Sequence, residues 1–224
     1  MYAFVDYSSD RRDPSPHSAG FRAWRSVVHL SPRGSRLCDD AFEMYQTLKS
    51  CLGGNRYEPT EQQLLYAVSR APAVGANPPG APLQILVQTP TEPNWSPLLR
   101  RGLALTASPH WTEQIWHPGQ LATLVVTASP VIVQPAPTPQ RHMLDGTRVH
   151  NWFRGSLQAA GCSHVTSITC SREITTRQRG EPVSMRHFTA QVKVANAARF
   201  TTFLGAPLGS NRCWGAGLVL ATSA

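Results

Sequence analysis

Apolar residues in this chain come in short runs parted by prolines and glycines. The order of those runs constrains the fold more than any other feature. Residues 25–30 (RSVVHL) read as a strand. Asp39 or Asp40 then caps a helix reaching about Cys51, with Phe42, Tyr45, Leu48 and Leu52 at helical spacing. Strand-like runs follow at 63–70 (QLLYAVSR), 83–89 (LQILVQT) and 119–128 (GQLATLVVTA). Between the last two, 91–96 (TEPNWS) reads as a turn with Trp95 as a structural plug, and the histidines His110 and His117, near Trp111 and Trp116, read as loop and surface residues. Residues 25–130 therefore predict β-α-β-β-turn-β, which suits a ferredoxin-like half.

The rest of the chain predicts a similar order. Residues 134–140 (QPAPTPQ) form a linker-like break. Residues 146–161 read as a helix with Val149, Trp152, Phe153, Leu157 and Ala160 on its apolar side. Strands over 165–177 and 182–195 are joined by 178–181 (QRGE), and a helix over 195–204 leads into a glycine-rich stretch, 205–217, before a buried run from Leu218 to Ala221. The expected division is an extension over 1–24, a first domain over 25–130, a linker over 131–145 and a second domain over 146–224. The expected fold class is α+β, a ferredoxin-like (RRM-like) first half and a second half of similar element order closed by a glycine-rich loop.

Function classes narrow with charge and cysteine usage. No apolar run approaches the roughly 20 residues of a membrane span. The first twenty residues hold no apolar signal core, and five cysteines without metal-like spacing suggest free thiols. A cytoplasmic protein without a membrane partner, metal or cofactor is expected. Net charge is +8, yet residues 1–145 carry 12 cations against 11 acids, while residues 146–224 carry 9 against 2. Nineteen of the 21 cations are arginines, whose planar fork grips phosphate and stacks on bases. The 165–195 hairpin bears Arg172, Arg177, Arg179, Arg186 and His187. The glycine stretch holds Ser210, Asn211 and Arg212, where exposed backbone N–H groups beside a cation suit phosphate. Arg33 and Arg36 add two cations before the first helix. RNA or DNA is the expected ligand, and a charged, solvated hairpin or a plain glycine turn is the bland alternative.

Several stretches together resemble the CasE family, the CRISPR repeat-processing endoribonucleases of type I-E systems within the RAMP superfamily. Residues 87–96 (VQTPTEPNWS) resemble its VQ(S/T)-x-x-x-P-(D/N)-W-S stretch. Residues 125–130 (VVTASP) sit where it has a strand ending in R-A-N-P, and 147–153 (TRVHNWF) resemble its E-x-x-A-W-L helix. Residues 209–218 (GSNRCWGAGL) resemble its closing G-x-x-K-x-x-G-x-G-L. Order and spacing agree across 25–222.

The resemblance implies two tandem ferredoxin-like (RRM-like) domains that bind a CRISPR repeat hairpin. It further implies metal-independent cleavage at the 3′ base of the stem and retention as the head subunit of a crRNA-guided complex. The other Cas subunits, including the backbone subunit at the crRNA 3′ end, would then be partners; type IV subunits are similar. One departure matters. The family's helix reads P-Y-E-M-H-R-x-L with tyrosine and histidine at the active site, whereas residues 41–48 here read AFEMYQTL. Phe42 stands for the tyrosine and Tyr45 for the histidine. The expected catalytic set is accordingly Tyr45, Arg36 and Arg212. Arg33, Arg172, Arg177, Arg179, Arg186, His187, Ser210, Asn211 and Arg212 are expected to hold RNA. The alternatives are a hairpin-capping subunit with little or no catalysis, and a general RNA-binding module.

Overall fold

A computed structural model describes residues 18–52, 64–69, 83–134, 140–209 and 215–224. In the first half, β1 (Ala19–Leu30), β2 (Leu65–Ser69), β3 (Gln84–Thr89) and β4 (Ala104–Trp116) form an antiparallel sheet in the order β2-β3-β1-β4. Its helical segments are α1 (Pro32–Ser35), a 3-10 turn (Arg36–Asp39), α2 (Ala41–Lys49) and α3 (Ser96–Arg100).

The second half repeats the plan with β5 (Leu121–Ala128), α4 (Gly146–Ala159), β8 (Cys162–Cys170), β10 (Glu181–Val194), α5 (Ala197–Gly205) and β11 (Val219–Ser223). Here the order is β11-β5-β10-β8, with β9 (Ile174–Gln178) pairing β10. A hairpin of β6 (Val131–Gln134) and β7 (Gln140–Met143) stands between β5 and α4. Within each half the first and third strands lie at the centre, flanked by the fourth and second. Both halves are thus ferredoxin-like, the expected α+β fold.

Local signals account for most elements. Asp40 accepts hydrogen bonds from the backbone N–H groups of Phe42 and Glu43 and so opens α2. On α2 the buried residues are Ala41, Met44 and Leu48, so Phe42 and Tyr45 fall on its half-exposed flank. On α4, Val149, Phe153 and Leu157 recur every fourth residue and are fully buried. Asn196 caps α5 by accepting from the Arg199 N–H at 3.0 Å. Trp95 is the expected plug: it is buried, and its indole N–H donates to Ser26 Oγ at 3.0 Å.

Four expectations are corrected. First, β4 fills a stretch in which the sequence predicts no strand: His110 and His117 are exposed as expected, but His110 is in the strand rather than a loop, and Trp116 at its end is 2% exposed and meets Phe200 edge-to-face at 4.9 Å. Pro109 masks this strand in the sequence, yet β4 is a sheet edge, where a missing N–H is tolerated. Second, β5 joins the second sheet rather than closing the first, so the change of sheet falls between Trp116 and Leu121, not at residue 130. Alternation marks a strand but not its partner. Third, β1 begins at Ala19, so residues 19–24 are strand rather than extension. Fourth, the expected linker over 131–145 is built around the β6–β7 hairpin, followed by buried Leu144. The expectations for residues 1–17, 71–82 and 135–139 lie outside the described residues.

β1 and β4 form a ribbon longer than the first half needs. Its near end supplies Val28 and Leu30 to the first core, with Met44, Leu48, Ile85 and Leu98. Its far end places Phe21, Ala23 and Trp116 in the second core, with Leu124, Phe153, Phe188, Phe200 and Val219. Along the seam, Arg25 Nε donates to Gln88 Oε1 at 3.1 Å, and Gln88 Nε2 donates to the Leu204 carbonyl at 3.0 Å. Burial holds the Arg25 pKa below the usual arginine value. It also pushes the Cys162 thiol, at the start of β8, up to about 12. No helix among the described residues is long and apolar enough to cross a membrane.

Candidate nucleic-acid interface

The α1 segment that presents Arg33 and Arg36 is pinned by two small residues. Ser31 Oγ accepts from the Gly34 N–H at 3.0 Å and donates to the Gly102 carbonyl at 2.6 Å. Gly34 lies so close to the Leu103 backbone that an added Cβ would sit 1.8 Å from the carbonyl oxygen. With the backbone fixed there, Arg33 and Arg36 are both exposed.

Four residues beyond Arg36, at Asp40, the two halves meet. The turn between β9 and β10 is made by Arg179 and Gly180, both at positive φ, +47° and +87°. That pairing matches a two-residue hairpin turn that follows the twist of its strands. The Arg179 backbone N–H donates to Asp40 Oδ2 at 2.8 Å. Its guanidinium carbon lies 4.0 Å from the centre of the Phe42 ring. A cleft of about 380 Å³ runs beside this contact, lined by Cys38 and Asp39 on one side and Thr175, Thr176 and Arg177 on the other. The hairpin tip, the helix bearing Phe42 and Tyr45, and the turn bearing Arg36 are therefore one surface.

Arg172, Arg186 and His187 form a second group. It lies about 17 Å along β10 from the tip, at roughly 3.3 Å per residue. Ser171 organises it, accepting the His187 N–H on its Oγ at 3.0 Å and an Arg186 guanidinium N–H on its carbonyl at 3.3 Å. The exposed His187 ring meets Thr127 Oγ1 at 3.3 Å, and Arg186 is half-buried with its Nε unpartnered. Among the described residues the ion pair is Arg22 with Glu113 at 2.8 Å. Arg33, Arg36, Arg172 and Arg177 are thus exposed cations without a carboxylate partner among those residues.

His29 is half-buried within β1, facing Gln84 and Thr106 across the sheet. Ser210, Asn211 and Arg212 lie outside the described residues. The flanks of their loop are placed: Gly215, Ala216 and Gly217 are buried, and Ala216 packs with Val183 and Met185 of β10. The loop's root therefore rests on the arginine hairpin. Asp40 was foreseen as a helix cap but not as the anchor of that hairpin. No local pattern reports a contact spanning 139 residues.

A family described as CRISPR associated protein matches residues 23–222. No curated protein matches the chain in sequence. Among solved structures, Cse3 of Thermus thermophilus, bound to an RNA representing a pre-cleavage complex, is similar with a TM-score of 0.77 at 24% identity. That likeness covers 90% of this chain and all of the other. The CRISPR-associated protein Cas6e of Escherichia coli str. K-12 is similar with a TM-score of 0.60 at 15% identity, over 89% of this chain and 98% of its own. A chain of a CRISPR RNA-guided surveillance complex gives 0.54 at 17%, over 89% of this chain and 99% of its own. At these identities the likeness is one of fold.

Proposed function

The chain belongs to the CRISPR associated protein family that matches residues 23–222, and on that premise we propose that it binds the hairpin of a CRISPR repeat RNA and cleaves the precursor at the 3′ base of the stem. It then stays on the product as a subunit of a crRNA-guided complex, against other Cas subunits. The observation that supports this most directly is the meeting of hairpin tip and helix. Arg179 reaches α2 at the place where the resembling family carries its active-site pair, Arg177 lines the cleft beside it, and Arg33 and Arg36 are close by in sequence.

Cleavage of this kind needs no group beyond the protein's own. The 2′-oxygen loses its proton and bonds to phosphorus, the 5′-oxygen leaves and takes a proton, and charge gathers on the phosphoryl oxygens between. Arginines supply the last need. Proton transfer is the weak point, because tyrosine titrates near 10 and Tyr45 makes a poor base though a serviceable acid. A slow site suffices for a protein that processes one RNA and keeps it. We place Ser210, Asn211 and Arg212 on the phosphates beside the scissile bond, because their loop is rooted on the same hairpin.

A second reading has its own support. Phe42 has no proton to give, and its ring is stacked under Arg179, which suits a hairpin-capping subunit without catalysis. Incubating the protein with repeat RNA in EDTA separates the two. Cut RNA at stoichiometric protein supports cleavage; intact RNA after hours, with the hairpin bound, supports the cap. Equal affinity for an unrelated stem would overturn both in favour of a general RNA-binding module.

A further inference from the structure

Asp40 makes more bonds than a helix cap needs. Its Oδ1 accepts from Phe42 at 2.8 Å and from Glu43 at 3.3 Å, which satisfies the start of α2. Its Oδ2 is left for a residue of the other half, the Arg179 N–H at 2.8 Å. Arg179 itself is an unusual choice. At φ +47° the position favours glycine or asparagine, and a long side chain there is strained. What the arginine adds is its guanidinium, which lies on Phe42 within one helical turn of Tyr45. Backbone and side chain of one turn residue are thus tied to α2 by separate contacts.

We propose that Asp40 is a positioning residue: it fixes the arginine hairpin against α2 before RNA arrives, so that the grip of Arg177 and Arg179 is held at a set distance from Tyr45. The proposal deepens the RNA-binding reading and rests on it. Each contact alone is weak, since an exposed cation–π pair and one exposed hydrogen bond are individually small. Together they hold a two-residue tip whose side chains would otherwise be ordered only upon binding, at a cost in affinity.

Asp40→Asn isolates the effect. Asparagine caps a helix as well as aspartate, so Oδ1 still serves Phe42 and Glu43. The amide that replaces Oδ2 has no lone pair for the Arg179 N–H. Two measurements on the full chain decide the matter: amide hydrogen exchange at 177–181, and affinity for a repeat hairpin RNA. We expect exchange at the tip to rise about tenfold with the melting temperature nearly unchanged, and hairpin affinity to fall about tenfold. Asp40→Ala, which removes the cap as well, should lower the melting temperature too. Wild-type exchange at 177–181 in Asp40→Asn overturns the proposal. So does an affinity loss that appears only together with a fall in melting temperature. If exchange at the tip rises while wild-type protein fails to prefer the repeat hairpin over an unrelated stem, the positioning role stands and the RNA reading fails.

Discussion

Gly215 lies against the ring of Tyr66: a Cβ at 215 would stand 3.1 Å from Tyr66 Cε2, at a residue whose φ is +75°. The described end of the closing glycine stretch is thereby fitted to a strand of the first half. Gly215→Ala would suffer both the left-handed backbone and the crowded ring. We expect a loss of about 1–3 kcal/mol, read as a drop in melting temperature of several degrees. Hairpin RNA affinity should fall with it, on the proposal that Arg212, three residues before, holds phosphate. An unchanged melting temperature would show that the ring gives way freely.

Replacing Arg177 and Arg179 together by alanine should weaken hairpin RNA binding without unfolding the protein. If both side chains neutralise phosphates, the slope of log affinity against log salt becomes shallower by roughly 2. Anisotropy titrations over a salt series measure this. A parallel shift with the slope retained would mean that neither side chain meets a phosphate.

Tyr45 is the residue on which the catalytic reading turns. Tyr45→Phe keeps the ring on the flank of α2 and removes its hydroxyl. Under single-turnover conditions the cleavage rate should fall by roughly 10²–10⁴-fold with hairpin affinity unchanged. Cleavage at the wild-type rate would take Tyr45 out of the mechanism.

Cys162 gives a pH signature unrelated to RNA. Burial pushes its thiol up to about 12, from an ordinary value near 9. The folded protein therefore retains a proton that the unfolded chain has lost, and the associated stability is present below pH 9. It should fade as pH climbs from about 9 to 12. Cys162→Ala should flatten the decline in melting temperature over that window. At pH 8, thiol reagents should label the half-buried Cys170 in preference to Cys162.

How far the sequence carries can be judged from particular residues. The helix cap at Asp39 or Asp40, the join over 178–181 and the period of α4 are all local patterns, and each reads from a few neighbours, though the choice of Asp40 over Asp39 does not. β4 was illegible because Pro109 interrupts it and most of its side chains are exposed, so neither alternation nor apolar content marks it. β5 reads as a strand, but its choice of β10 and β11 as partners depends on packing across the whole second half. The half-exposed flank of α2 was likewise hidden. Phe42, Tyr45 and Leu48 share a helical spacing, and only the placement of the sheet selects Ala41 and Met44 for the interior.

The shared ribbon has a consequence for how this protein comes apart. Because Phe21, Ala23 and Trp116 belong to the interior of the other half, the second ferredoxin-like unit does not own a complete set of its own contacts. Calorimetry should therefore record one melting event where a pair of beads on a string would give two. A nick by a protease between β4 and β5 should leave fragments that remain clasped together until both denature.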